Sequence, residues 1–462
     1  MSRRSGRGDP LRRVEPSGTG LGTVGVAETH SYHWQQPLAA HAAGSADSAF
    51  GMAFRSVLFV VVLLCVWTSF NPFASADQVF TVSDAGSKST QIVYSSTFVI
   101  LAAWCFGHQP LRLLLLARPS LILALAWCVV SVVTSWEPSL SARRFLYALV
   151  MIGIAGMMLL VPKNRRHFAD LMGVVALLLL AASYVGVVLL PSLSIHQASD
   201  IAEPELAGAW RGIFGHKNGA SAAMVVFVFS GLMLRSLGRS AAGLLIIALA
   251  LPFLWFTHSR TAIAELPLVV VISFFAGASR NPVIGVALPL ATILGLNLVA
   301  IGSMYSPSLH NLLEALYIDP TFTGRTEIWR FVIHHIAERP ITGYGFSTFW
   351  ATEHVVYGFN DEGWVSTVSA AHNGYLDLTL QVGVPGAFLM ILWLFLSPLV
   401  DFYRVSYVPA KDPVKIFFFR LLLFAAFESC FESGFLLVNA FLVFLVWAGF
   451  SLRFMSKLPM AA

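Results

Sequence analysis

Residues 210–235 read WRGIFGHKNGASAAMVVFVFSGLMLR. A basic, aromatic block (Trp210 to Asn218) passes directly into an apolar run ending at Arg235. A run of about 20 residues is what a helix needs to cross ~30 Å of hydrocarbon. The pattern recurs along the chain, with candidate spans at 54–71, 91–107, 119–136, 145–161, 168–190, 217–235, 240–257, 261–278, 282–303, 377–399, 415–431 and 435–454. Their apolar residues are continuous and do not alternate with a period of two, which points to helices and away from a barrel. The chain therefore reads as an all-α polytopic membrane protein with about 12 transmembrane helices. Composition agrees: 57% of residues are hydrophobic and 11% charged, where a soluble domain carries roughly 25% charged.

Around the spans the chain divides into a basic tail (1–53), helices one to nine (54–303), a large polar loop (304–376), and helices ten to twelve with a short C-terminus (377–462). The tail is rich in Gly, Ser, Ala and Arg and has no apolar period. It is expected to be disordered and to stay on the cytoplasmic side, with the C-terminus. Most of the 29 lysines and arginines then fall in cytoplasmic segments, as the positive-inside rule requires, and Arg143 and Arg144 are exceptions. The Arg211 loop, the Arg260 turn and the 304–376 loop all open on the outer face. Cys65, Cys105, Cys128 and Cys430 lie in apolar runs without CxxC spacing, which gives neither a zinc site nor a disulfide framework. No DxD, HExxH, Walker A or GxSxG sequence occurs. Metal-dependent sugar-nucleotide transfer and serine hydrolysis lose support accordingly. No metal, no cofactor and no nucleic-acid partner is expected.

Isolated Arg and His residues at the mouths of membrane spans are costly to place and mark a functional site by default. The loop before the sixth span begins acidic (Asp200, Glu203, Glu205) and ends with Arg211 and Lys217. These sit beside a helix N-terminus, whose unpaired N–H groups and partial positive charge favour phosphate. Anchoring of Trp210, Arg211 and Lys217 among lipid headgroups is the alternative. Arg260, in the tight turn from His258 to Thr261, joins that seat, snorkels to lipid phosphate, or pairs with Glu265. In the long loop, Ile328, Trp329, Val332, Ile333 and Ile336 share one helical face. An amphipathic helix is thus expected from Arg325 to Glu338, started by Gly324 and Glu327 and stopped by Pro340, Gly343 and Gly345. Its expected place is on the membrane or over the site as a lid. Arg325 in its first turn opposes the helix dipole, which suits anion binding better than helix stability. His372, where the loop returns to the membrane, is the candidate proton acceptor. Asn373 is expected to orient it or bind a sugar hydroxyl, with Tyr375 beside it. Glu428 and Glu432, with Arg420 deeper in the same span, read as an ion-pair cluster or as part of a substrate site.

These blocks in combination resemble the O-antigen ligase and polymerase (Wzy/WaaL-like) superfamily of bacterial envelope polysaccharide assembly. The match is carried by Arg211-Gly-Ile-Phe-Gly-His-Lys-Asn218 entering a span, Ser259-Arg260-Thr-Ala262, Gly324-Arg325-Thr-Glu-Ile-Trp329, Gly343-Tyr-Gly345 and Ala371-His-Asn-Gly-Tyr-Leu376, within residues 54–454. The Phe-Gly-His-Lys-Asn and Ala-His-Asn-Gly-Tyr forms are most similar to ExoQ-type exopolysaccharide polymerases of the succinoglycan kind. The resemblance implies a GT-C-like, inverting, metal-independent glycosyltransferase in the bacterial inner membrane with a periplasmic active face. It implies a donor oligosaccharide on undecaprenyl pyrophosphate, and as partners membrane lipids, a flippase and a polysaccharide co-polymerase.

On this reading Arg211, Lys217, Arg260 and Arg325 bind pyrophosphate. His372, Arg325 and Arg211 carry the catalysis, and Asn373 and Tyr375 serve the acceptor. Ligation of O-antigen to a lipid A core and transfer to a protein hydroxyl share the chemistry. The rival from another class is a lipid-linked-oligosaccharide flippase. A carrier is expected to hold its charged site near the midplane, with repeated halves and broken helices, and no repeat is visible between residues 54–257 and 261–454.

Overall fold

Each of the twelve apolar runs coincides with a helix. The computed structural model describes residues 49–68, 71–74, 88–113, 116–200, 203–278, 281–350, 352, 355, 368–404, 411–436 and 440–457. Nearly all of the basic tail lies outside them, as does much of the polar loop between 351 and 367. In chain order the main helices are α1 (Ala49–Thr68), α2 (Lys88–His108), α3 (Pro119–Val133), α4 (Pro138–Met158), α5 (Arg165–Leu189), α6 (Lys217–Ser236), α7 (Ser240–Phe256), α8 (Arg260–Ala278) and α9 (Pro282–Gly302). The loop contributes α10 (Pro307–Ala315) and α11 (Arg325–Glu338), followed by α12 (Gly374–Ile391), α13 (Ser397–Arg404), α14 (Pro413–Glu428) and α15 (Ala440–Lys457). Six stretches, namely α1, α4, α5, α6, α9 and the continuous Gly374–Arg404, are long and apolar enough to cross a membrane. Shorter apolar helices add to them, so the chain is a multi-pass, all-helical membrane protein. Among the described residues the one β feature is an isolated bridge between Ile195 and Trp210.

Local chemistry explains the helix starts. Proline occupies the first turn of α3, α4, α9, α10 and α14, where its missing N–H removes nothing from the helix. Asn164, Asn281 and Asp412 accept backbone N–H groups as N-caps, each worth about 1 kcal/mol. Helices α6 and α7 approach through Gly231 and Gly243. A Cβ on either would meet the other's carbonyl oxygen, at 2.7 and 2.4 Å, so only glycine permits this contact. At the end of the bundle away from the polar loop, Arg118 pairs with Asp401 at 2.5 Å and Arg165 with Asp412 at 2.8 Å.

Two features depart from the sequence reading. First, α11 has the expected bounds, but its apolar face does not rest on lipid. Ile328, Phe331 and Val332 enter a second hydrophobic core with Tyr344, Phe349, Trp350 and Leu380. Trp329, fully buried, donates its indole N–H to the Ala371 carbonyl at 3.0 Å. The loop supplies its own aromatic surface, so the helix buries its stripe within the protein.

Second, α12 is broken at Gly383, whose φ is +72°. The loop residues fill the gap: Tyr344 and Gly345 donate backbone N–H to Leu380 and Gln381, and Val384 donates to Pro340. Non-helical backbone at membrane depth is tolerated where protein satisfies it in this way. A Cβ at Gly383 would lie 1.9 Å from the Ile341 carbonyl oxygen. The break therefore seats the polar loop against the bundle.

Candidate functional site

The first block is held as a rigid loop. Arg211 and Gly212 both donate backbone N–H to Ser194, and Trp210 donates to Phe256. Gly212 has φ +58°, and a Cβ there would sit 2.6 Å from that of Ser183. Half-buried Trp210 stacks on exposed Phe256 with ring centroids 4.5 Å apart. Arg211 is 1% exposed. Its guanidinium Nη1 donates to the carbonyls of Ala74 (2.6 Å) and Gly215 (3.1 Å). The Arg211 side chain thus ties its loop to the chain at Ala74, 137 residues away.

Two histidines in this region are fixed in one tautomer by their partners. His216 Nδ1 accepts the Asn218 N–H (3.1 Å) as the N-cap of α6, so its Nε2–H donates to Glu203 (2.9 Å). That hydrogen bond holds the Glu203 carboxyl below the usual range, against burial. His196 Nε2 accepts the Lys217 N–H (3.3 Å), and its Nδ1–H donates to Asp200 (3.2 Å). Neither ring keeps a free nitrogen.

The second block meets the first at Glu432, in the turn between α14 and α15. Glu432 Oε1 accepts from Arg325 Nη2 (2.7 Å) and from Asn218 Nδ2 (3.0 Å). Its Oε2 lies 3.2 Å from His372 Nδ1. Arg325 Nη1 also donates to the Phe431 carbonyl. Burial pushes the Glu432 carboxyl up, but the His372 hydrogen bond and the Arg325 charge prevail and hold it at about 2. An ionised Glu432 accepts a hydrogen bond from His372 Nδ1–H, which leaves Nε2 with its lone pair free. Among the described residues Nε2 has no partner, and the side chain is 35% exposed. A carboxylate fixing one ring nitrogen while the other faces the substrate is the arrangement of a general base. His372 is held in the left-handed region (φ +49°), the kind of backbone strain that collects at functional sites.

Lys217 and Arg260 complete the cluster. The charge on Lys217 is within reach of Glu203, Glu432, Arg325 and Arg260. Neither its ammonium nor the Arg260 guanidinium makes a hydrogen bond among the described residues, and Arg260 is exposed. The alternative Arg260–Glu265 pair does not form: Glu265 is buried at 3% exposure beside Glu428, deeper in the bundle. Arg325 and His372, from distant parts of the chain, therefore meet on one carboxylate, with Lys217 within electrostatic reach of it and Arg260 within reach of Lys217.

Asn373 and Tyr375 are placed differently from the acceptor role. Asn373 is fully buried. Its Oδ1 caps α12 by accepting the N–H groups of Tyr375 and Leu376, while Nδ2 donates to Asn297 and to the Cys430 carbonyl. Nothing is left for a sugar hydroxyl, so Asn373 orients its neighbour His372 through the backbone. The Tyr375 hydroxyl donates to the Ala426 carbonyl at 2.8 Å, and its ring packs edge-on against Phe435. Arg144, an exception to the charge rule, donates to the Ser347 carbonyl and so ties α4 to the polar loop.

Residues 244–391 match the O-antigen ligase family. A protein named "Putative polysaccharide ligase" from Rickettsia felis is 24% identical over 198 residues, 40% of this chain and 46% of that protein. Similarly named proteins of Rickettsia conorii (26% over 148 residues; 31% of this chain, 33% of the relative) and Rickettsia typhi (26% over 153 residues; 32% and 35%) are further relatives. The chain thus spans less than half the length of the curated relatives it matches. The matched segment, about a third of the chain, contains Arg260, Arg325 and His372 and is where the chain is similar to the O-antigen ligase family.

Proposed function

We propose that the chain is a glycosyltransferase that joins oligosaccharide repeat units carried on undecaprenyl pyrophosphate, an exopolysaccharide polymerase of the bacterial inner membrane with its site on the periplasmic side. The observation that carries this reading is the meeting of Arg325, His372 and Asn218 on Glu432, with Lys217 and Arg260 beside them. The donor brings its own leaving group. The acceptor hydroxyl oxygen attacks the anomeric carbon from the face opposite the pyrophosphate, and the bond from that carbon to the phosphate oxygen breaks. The electron pair leaves with the lipid pyrophosphate, and the configuration inverts. The hydroxyl proton passes to His372 Nε2, while His372 keeps its Nδ1 proton, donated to ionised Glu432, whose charge steadies the imidazolium. Lys217 and Arg260 face the departing pyrophosphate, and Arg325 adds its charge while gripping Glu432. Fixed cations do for the leaving group what a divalent metal does elsewhere.

The printed name of the relatives, polysaccharide ligase, favours a second reading in which the acceptor is a different molecule, such as a lipid A core. Purified full-length chain given one lipid-linked oligosaccharide separates the cases. A ladder of lengthening lipid-linked chains supports the polymerase. A product formed only when lipid A core is added supports the ligase. Intact donor crossing a liposome with no new glycosidic bond contradicts both and favours a carrier.

A further inference from the structure

Among the described residues of the polar loop, the exposed large hydrophobic side chains gather in one place. Ile341 apart, they are Tyr305, Leu312, Leu316, Tyr317 and Ile318, all on α10 or beside its ends. Helix α11 buries its apolar stripe in the second core, and α10 does not. Leu313 is buried and Leu309 lies against Gly302, but Leu312 and Leu316, one turn apart on one side of the helix, are exposed. The opposite side carries Asn311 and the pair His310 and Glu314, 3.5 Å apart. The end of α10 supplies a second, independent sign. Tyr317 and Ile318 donate backbone N–H to Glu314 (3.0 Å) and Leu313 (2.9 Å), the Schellman closure of a helix. Tyr317 takes its left-handed position, at φ +57°, which favours Gly or Asn and strains any other side chain. Tyr317 is also 98% exposed, so no described residue offsets that strain. A tyrosine held out in this way is what membrane–water interfaces select, with its ring among acyl chains and its hydroxyl among headgroups. The location agrees. Leu294 and Leu298 of the membrane-crossing α9 are exposed on the surface that a bilayer covers. Helix α10 starts at Pro307, five residues after α9 ends at Gly302, so its apolar patch continues the lipid-facing surface of α9.

We propose that α10 is an interfacial anchor, lying along the bilayer surface on the side of the polar loop. Leu312, Leu316, Tyr317 and Ile318 enter the acyl chains, and His310 and Glu314 face water. The partner is a lipid surface, held by apolar insertion. No Lys or Arg occurs between Ser306 and Pro320, so headgroup charge has nothing on this helix to attract it. The anchor is independent of the reaction proposed above, and it fixes the height of the turn that follows. In that turn Asp319 accepts the N–H groups of Thr321 (2.9 Å) and Thr323 (2.8 Å). The Phe322 ring lies 5.4 Å from that of Trp329, and Arg325 then reaches Glu432. Helix α10 thus sets the level, relative to the lipid surface, at which Arg325 enters the site.

The test uses full-length protein in phosphatidylcholine nanodiscs doped with a phosphatidylcholine whose acyl chain carries a diazirine, with adducts mapped by mass spectrometry. Adducts are expected on peptides containing Leu312 to Ile318, as well as on those containing Leu294 and Leu298. The double variant Leu312→Ser/Leu316→Ser is expected to cut the α10 adducts about tenfold, because two leucines no longer gain from leaving water. The α9 adducts should stay unchanged. Exchanging the carrier lipid for phosphatidylglycerol should leave the yield within about twofold, since no basic residue takes part. In the double variant, amide hydrogen exchange from Asp319 to Arg325 is expected to quicken about tenfold as the turn loses its support. Absence of α10 adducts while α9 is labelled, undiminished adducts in the double variant, or a yield rising several-fold with anionic lipid would each overturn the anchor. So would p-benzoylphenylalanine in place of Tyr317 that cross-links to a second copy of the chain instead of to lipid. Unchanged exchange from Asp319 to Arg325 would overturn the link to the site. Should the double variant fail to fold, Leu316→Ser alone supplies both measurements.

Discussion

The two basic-aromatic blocks look alike in sequence and are used differently. In the block from Trp210 to Asn218, Arg211 is buried and closes its loop onto backbone carbonyls, and His216 has both ring nitrogens engaged. In the second block, Arg325 and His372 converge on a third element, and His372 keeps one ring nitrogen open. A buried cation engaged by backbone carbonyls has the place of scaffold. A cation and an imidazole sharing a distant carboxylate are poised for chemistry. Only Lys217 and Asn218, at the end of the first block, cross from one class to the other.

Substitutions should separate the classes, and Glu432→Ala is the severest. It releases Arg325, His372 and Asn218 together, and transfer by the purified protein is expected to fall about 10⁴-fold, the scale seen when a base loses its orienting carboxylate. Stability should show the same residue. The Glu432 pKa is depressed from 4.5 to about 2. Its stabilising contribution is therefore full above pH 4.5 and is lost as pH falls from there toward 2. Glu432→Gln should lack that acid-sensitive component in unfolding measurements.

His372→Ala comes next, with an expected loss of about 10³ in turnover at unchanged donor binding, since a general base contributes ~10²–10⁴. Lys217→Ala should cost about 10². Its effect should appear when charged lipid-linked donors are compared and should shrink at high salt. Arg211→Ala should have the least effect on turnover and the clearest effect on the fold. Removing a buried donor shared by two backbone carbonyls is expected to destabilise the protein by about 1–3 kcal/mol, read as a lowered unfolding temperature, while the folded fraction retains rate within about tenfold of the native protein. A loss at Arg211 as large as that at His372, with no change in stability, would erase the distinction between the blocks.

What the sequence made legible follows the range of the forces involved. Hydrophobic runs specify helices locally, and all twelve appear. The period of Ile328, Trp329, Val332 and Ile336 located α11 to the residue. The destination of that helix was not legible, because its partners Phe349 and Trp350 belong to an irregular stretch without periodicity. The cations and His372 were recognisable as isolated charges at span mouths. Arg211 and Lys217, six residues apart in sequence, could not be told apart, since one turns inward to Ala74 and the other makes no side-chain hydrogen bond among the described residues. Glu432 was visible as an acid at the end of a span. Its role as the meeting point depends on contacts 60, 107 and 214 residues away, which no local pattern encodes. Asn373 carried a signal that fits the outcome better than a sugar contact does: an Asn immediately before an apolar helix is a cap.

The central claim is that Glu432 makes His372 a base and joins both blocks into one site. A double-mutant cycle tests it most directly, with transfer rates measured for native protein, Glu432→Gln, His372→Ala and the double variant on one lipid-linked donor. The prediction is strong non-additivity, with the double variant no slower than the worse single variant within about threefold, as for residues that act as a unit. Losses that multiply, or a full native rate in either single variant, would contradict it.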